Sequence, residues 1–354
     1  LIDPKYNFHF IGLDFLEPLP GNAMYFYYAI MGVLGIFIMI GFYYKWSISA
    51  FTILWAGVYF MQKSAYNNHY YLLILISIFM LIVPAHRYLS YDTRKRNLVE
   101  SYSMPQWVNL FIVAQLLIVY VYASVAKMYP DWLDTTVAET LMSYKKSYPL
   151  IGEVLQLKPV LYIIAYFGIT FDLLIVPLLL WKKTRVAAFV LSIFFHLFNS
   201  VIFGIGIFPY MSLAFTVFFF PAETIKRTFR LKKPFYDKDE IKLPNYKPGL
   251  ISFFAVWFMI QLILPVRHHF IKDDVLWTEE GHRMSWRMML RVKRNINNFK
   301  VVNLETNETK YINNKDYLTS KQIRSLGKPD FIWQYAKLIE KDYADKGIPV
   351  AVHA

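Results

Sequence analysis

The chain has 354 residues, of which 56% are hydrophobic, 19% aromatic and only 18% charged, with a formal net charge of +13. An ordinary soluble domain carries about 25% charged residues, and here the deficit falls in long uncharged runs separated by short basic clusters. That alternation is what a bilayer imposes, since ~20 apolar residues in helical form cross ~30 Å of hydrocarbon. The positive charge therefore reads as membrane orientation and not as a nucleic-acid footprint. With no cysteine anywhere, disulfides, thiolate metal sites and cysteine nucleophiles are excluded. The chain opens at Leu1 without a cleavable signal pattern, and an upstream segment is expected to be missing.

Eight apolar segments follow in chain order: Ala23–Tyr44, Ser47–Gln62, Tyr70–Pro84, Gln106–Ala126, Val160–Trp181, Arg185–Phe203, Ile207–Pro221 and Gly249–Pro265. They predict an all-α polytopic membrane helix bundle of about eight transmembrane helices. Several are shorter than a full span, which predicts tilted or broken helices. One set of alternate loops collects Lys45, Arg87, Arg94, Lys95, Arg96, Lys182, Lys183 and Arg185. The same side takes Lys226, Arg227, Arg230, Lys232, Lys233, Lys238, Lys242 and Lys247. The opposite loops hold only Lys63, Lys127, Lys145, Lys146 and Lys158. The first side is expected to be cytoplasmic, and the second, with Leu1 and the tail, periplasmic or lumenal.

Residues 1–265 are thus read as the membrane domain and 266–354 as a small extracytoplasmic α+β domain. In that tail Phe299–Leu304, a Glu-Thr-Asn-Glu-Thr turn and Lys310–Ile312 read as a β-hairpin. Residues from Pro329 to Asp345 read as an amphipathic helix.

Topology sorts the polar residues. His69 lies at the outer mouth of the third segment and Lys127 at the outer end of the fourth. On the sixth, His196, Asn199, Ser200 and Phe203 recur at i, i+3, i+4 and i+7, one helix face climbing toward the same surface. Taken singly these are a helix-end histidine, a snorkelling lysine and a helix-packing hydrogen bonder. Together they bring ionisable groups to one leaflet and mark a site. Asp172 is a carboxylate inside the apolar fifth segment, a place where charge is costly and functional by default. It stands 11 residues before Lys183 and His196 stands 13 after it. Across a tight hairpin those counts differ in depth by only about 3 Å. An Asp172–His196 hydrogen bond is therefore expected. No metal site is expected, since His268 and His269 are adjacent and point apart on a helix, and no His-x-x-x-His pair occurs.

Four ordered motifs carry a family resemblance. They are Tyr66-Asn67-Asn68-His69; Ala126-Lys127 with Asp131-Trp132; Phe195-His196-x-x-Asn199-Ser200 followed by Ile205-Gly206-Ile207-Phe208; and Ser285-Trp286-Arg287-Met288-Met289. In that order, from about Asp14 to Tyr335, the chain resembles vitamin K-dependent γ-glutamyl carboxylase, of the horizontally transferred transmembrane domain family. The resemblance implies that a reduced naphthoquinone, vitamin K or a menaquinol, reacts with O2 to give a strongly basic quinone alkoxide. That base takes a γ-proton from a protein glutamate, the carbanion adds CO2 and the quinone leaves as an epoxide. By resemblance Lys127 deprotonates the hydroquinone, a role helped by an apolar helix end that disfavours its charged form. His69 with Asn68 would flank quinone and glutamate. Phe208, Met211, Trp286 and Met289 would pack around the ring, with Asp172, His196 and Asn199 in support.

The implied partners are an exported protein or peptide glutamate and the membrane's lipid and quinone, with no nucleic acid and no metal. The implied location is a bacterial inner membrane or the endoplasmic reticulum. Arg287 stands where the family has aspartate, and the animal enzymes are much longer, with an additional apolar segment ahead of the region matching Leu1. Those departures put propeptide recognition in doubt and suggest a compact, bacterial homologue. The alternatives are a quinol-oxygenating enzyme acting on a different acid and a non-catalytic quinone- or lipid-binding membrane protein. A transporter would show matched repeats, and none is visible.

Overall fold

The computed structural model describes residues 4–96, 98, 101, 103–231, 245–290, 293 and 295–354; Lys232, Lys233, Lys238 and Lys242 of the basic stretch lie outside them. In chain order the main helices are α1 (Ala23–Ile40), α2 (Tyr44–Met61), α3 (Asn68–Ile82), α4 (Gln106–Val125), α5 (Thr136–Ser143), α6 (Lys158–Leu180) and α7 (Arg185–Ile202). There follow α8 (Phe208–Phe215), α9 (Ala222–Thr228) and α10 (Lys247–Val266). The tail adds strands β1 (Phe299–Asn303) and β2 (Thr309–Ile312), helix α11 (Pro329–Ala344) and strand β3 (Val350–His353). The protein is an all-α polytopic membrane bundle with a small C-terminal α+β region.

The number of spans needs correction. Each of the eight apolar segments is helical, but among the described residues only α1, α4, α6, α7 and the stretch Lys247–Phe270 are long and apolar enough to cross a membrane. A sixth span results if Phe208–Phe219 and α9, bent by 118° at the break before Ala222, count as one. Pro221 sits at that break, and a proline disfavours helix in the residue before it. Helix α2 fails because Lys45, Ser47, Ser49 and Thr52 dilute its apolar content. Helix α3 has 15 residues, about 22 Å against the ~30 Å required.

Local sequence sets the helix ends. Proline occupies the first turn of α6, α8 and α10, where its missing N–H would have no partner in any case. Gly41, at φ 66°, ends α1 by turning its N–H back to the carbonyls of Phe37 and Ile38, a left-handed cap that glycine adopts without strain. The carbonyls ending α6 are taken by Arg185, whose Nε and Nη2 donate to Leu179 and Leu180 at 2.9 Å each.

The chain forms two compact units. The first comprises Leu1–Ile82, Ile271–Glu280 and Lys293–Ala354. Its sheet is antiparallel in the order β2-β1-β3, with Val301 opposite Lys310 on one side and Val352 on the other. Phe299 and Val301 of β1, Phe331, Tyr335 and Ile339 of α11, and Phe8 from the N-terminal segment bury together as its core. Lys63, just after α2, is 1% exposed, bonds Asp330 at 2.7 Å and lies 4.7 Å over the Phe331 ring. The loop lysine of the sequence reading is thus an internal ion pair.

The second unit comprises Val83–Phe270 and Gly281–Val292. Helix α4 runs against α6, where Ser124 Oγ donates to the Ile169 carbonyl at 2.9 Å. Its other neighbour is α10: Phe111 meets Phe254, Trp257 and Phe258 at 5.3 Å each, and Trp257 Nε1 donates to Gln115 at 2.9 Å.

Candidate active site

In the second unit several buried polar groups gather around the C-terminal half of α4. Lys127 follows the helix by two residues and is 6% exposed. Its Nζ donates to Asp172 Oδ2 at 2.6 Å and to the Ala123 carbonyl at 3.0 Å, with the Trp132 ring 5.9 Å away. Asp172 is equally buried, at 6%. Two opposite charges removed from water together satisfy each other by a short charge-assisted bond.

Asp172 therefore does not pair with His196 as the depth count suggested. The ammonium arriving from the end of α4 is the stronger partner, and His196 has another. Its Nε2 lies 3.0 Å from the Tyr120 hydroxyl. Residues Tyr120, Ser124 and Lys127 recur at i, i+4 and i+7, so one face of α4 serves both pairs. That spacing is present in the sequence, but a tyrosine in a membrane helix carries no local signal that sets it apart. His196 stands among aromatic rings, with Phe195, Phe171 and Phe208 at centroid distances of 5.4, 5.8 and 6.0 Å.

The loop carrying Trp286 and Met289 belongs to the same unit. Tyr129, two residues beyond Lys127, donates its hydroxyl to the Leu290 carbonyl, which ties this loop to the lysine's segment. Arg267 holds the loop's other end, donating to the Leu264 carbonyl at 2.7 Å, to Ser285 Oγ at 3.1 Å and to the Arg283 carbonyl. Trp286 is 1% exposed, whereas Met289 is half-buried. Both adopt positive φ, 57° and 54°, which is costly for side chains of this size and typical of sites whose surroundings fix the backbone. Met211 and Asn199 are half-buried on α8 and α7.

His69 and Asn68 begin α3 in the first unit, both buried. Asn67 Oδ1 accepts the His69 backbone N–H at 2.8 Å, capping the helix start, and Asn68 Oδ1 accepts the Tyr66 hydroxyl at 2.6 Å. The Tyr-Asn-Asn-His run is thus a cap that fixes how α3 begins.

Residues 1–223 match the family model for the HTTM domain, and residues 246–354 match that for the vitamin K-dependent gamma-carboxylase lumenal domain. The chain belongs to the vitamin K-dependent γ-carboxylase family. No solved structure matches it. Membership supports a membrane carboxylase-like role with vitamin K as cofactor and a glutamate-containing substrate.

The second unit of this carboxylase homologue brings a buried ion pair and a group of aromatic side chains together on neighbouring residues. Phe171, Phe195 and Phe208 surround His196, Phe171 and Phe195 stacking at 3.7 Å, and Asp172 of the ion pair follows Phe171. Among its described residues the buried side-chain atoms without a hydrogen-bond partner include His196 Nδ1, Ser212 Oγ and Thr135 Oγ1. Among the described residues no cluster of three or more histidine, aspartate or glutamate side chains is placed to hold a metal.

Proposed function

We propose that the protein is an integral membrane, naphthoquinol-dependent γ-glutamyl carboxylase that couples quinol epoxidation by O2 to the addition of CO2 to a protein glutamate. The observation that carries this reading is the Lys127–Asp172 pair, buried at 2.6 Å beside aromatic walls in a chain of this family. In this reading residues 1–265 lie in the membrane, and residues 266–354 face the periplasm or lumen with the substrate.

The bound quinol supplies, on oxygenation, the base strong enough to take a glutamate γ-proton. Lys127 and Asp172 handle the earlier proton. The pair is neutral overall, so moving one proton from Nζ to Oδ2 creates a neutral amine and a neutral acid without separating charge. The amine then takes a hydroxyl proton from the bound quinol. Lys127 is left as an ammonium facing the negative oxygen it has created, while Asp172 keeps its proton. The Ala123 carbonyl, 3.0 Å from Nζ, fixes the amine's direction throughout. The aromatic walls keep water from quenching the base before it reaches glutamate. By resemblance, Phe208, Met211, Trp286 and Met289 contact the ring, and His69 and Asn68 handle quinone and glutamate.

Lys127→Ala should remove epoxide and carboxylated peptide together, by at least about 100-fold, the usual contribution of a positioned base. Lys127→Arg should fail as well, because a guanidinium stays protonated at working pH. Epoxide formation within a few-fold of wild type in either variant would take the base role away from Lys127.

A further inference from the structure

We propose that His196 is a binding residue for the quinone, its Nδ1–H donating to one ring oxygen. The inference rests on the carboxylase reading and adds to it a residue that the Lys127 chemistry does not use. His196 is 1% exposed, and a polar atom so deeply buried is seldom left unanswered. The proposal takes the tautomer in which the phenol, 3.0 Å from Nε2, donates to it and the ring hydrogen sits on Nδ1. The free position is therefore a donor, and it calls for an oxygen acceptor.

The surroundings narrow the ligand's class. Phe195, Phe171 and Phe208 present themselves to the imidazole at steep angles of 75°, 85° and 78°. An aromatic, uncharged surrounding of this kind disfavours a hydrated anion and tolerates an apolar ring with an oxygen at its edge. The position also suits the chemistry. Asp172 follows Phe171 directly, and the Phe171 ring lies 6.4 Å from that of Tyr120. An oxygen held by His196 would thus be held in the neighbourhood of the Lys127–Asp172 pair, which fixes how the ring is presented to the amine.

The test uses two substitutions that split the imidazole's two bonds. His196→Gln keeps a group where Nε2 stood, so the Tyr120 bond survives and the Nδ1 donor is lost. His196→Asn does the reverse, placing an amide nitrogen near Nδ1. Binding of oxidised naphthoquinone to the purified full chain is measured by tryptophan quenching, and folding by thermal melting. Infrared difference spectra with carbonyl-labelled quinone report each ring oxygen separately.

His196→Gln should melt near the wild-type temperature and bind about tenfold more weakly, as expected for one buried hydrogen bond. One carbonyl band should move to its unbonded position. His196→Asn should melt earlier yet bind within about threefold of wild type. An unmoved carbonyl band in His196→Gln overturns the proposal whatever the affinity, since the orphan nitrogen would then face water or packing alone. Wild-type protein that binds no naphthoquinone would overturn the carboxylase reading along with it, and so the two failures are distinguishable.

Discussion

Lys127 and Asp172 are stable in the bundle only as a pair, because each desolvated charge is answered by the other. Removing either alone, as Lys127→Met or Asp172→Asn, should destabilise the protein by about 3–5 kcal/mol by leaving a buried charge or its partner unanswered. The double substitution Lys127→Met with Asp172→Leu should cost well under the sum in a thermal double-mutant cycle. Additive losses would mean that the two side chains do not interact. Asp172 was legible in the sequence as an expensive group in need of a partner, yet the partner itself was not. Counting residues along a hairpin gives depth, but which side of a helix a group faces depends on packing that one sequence does not state. The same limit hid the Tyr120–His196 bond.

At the scale of elements, the hairpin β1–β2 and helix α11 were legible because alternation and a 3.6-residue period are local signals. Strand β3 was not, being four residues of Val-Ala-Val-His whose pairing with β1 is settled by the sheet. Nor could the sequence show that Phe8, fully buried, completes the tail's core. Eight apolar segments were visible, whereas spans of sufficient length and hydropathy were fewer, since α2 and α3 are helical without meeting the bilayer's demands. The Lys63–Asp330 pair gives a test of the N-terminal region's attachment to α11. Lys63→Met alone should cost on the order of 3 kcal/mol and raise proteolysis of the tail, and adding Asp330→Leu should recover most of that loss. If Lys63→Met alone leaves melting and proteolysis unchanged, the pair is incidental.

For the whole molecule, the basic loops predict Lys95 on the cytoplasmic side and Ser143 and Thr306 on the other. Single cysteines are readily introduced into a chain that has none. Those at Ser143 and Thr306 should react with an impermeant thiol reagent from outside, and one at Lys95 only once the inner face is opened. The reversed pattern would place the tail in the cytoplasm, away from exported substrates. The family was legible because its four motifs are short, ordered and rich in residues a bilayer helix does not need for packing. The identity of the acid substrate was not, since it depends on surfaces outside those motifs. The central claim is tested by supplying purified protein with naphthoquinol, O2, isotope-labelled bicarbonate and a glutamate-rich peptide, and analysing the products by mass spectrometry. The account predicts quinone epoxide together with labelled carboxyl groups on glutamate, both lost in Lys127→Ala. Epoxide with no label on any glutamate, or neither product from a folded, quinone-bound protein, would contradict it.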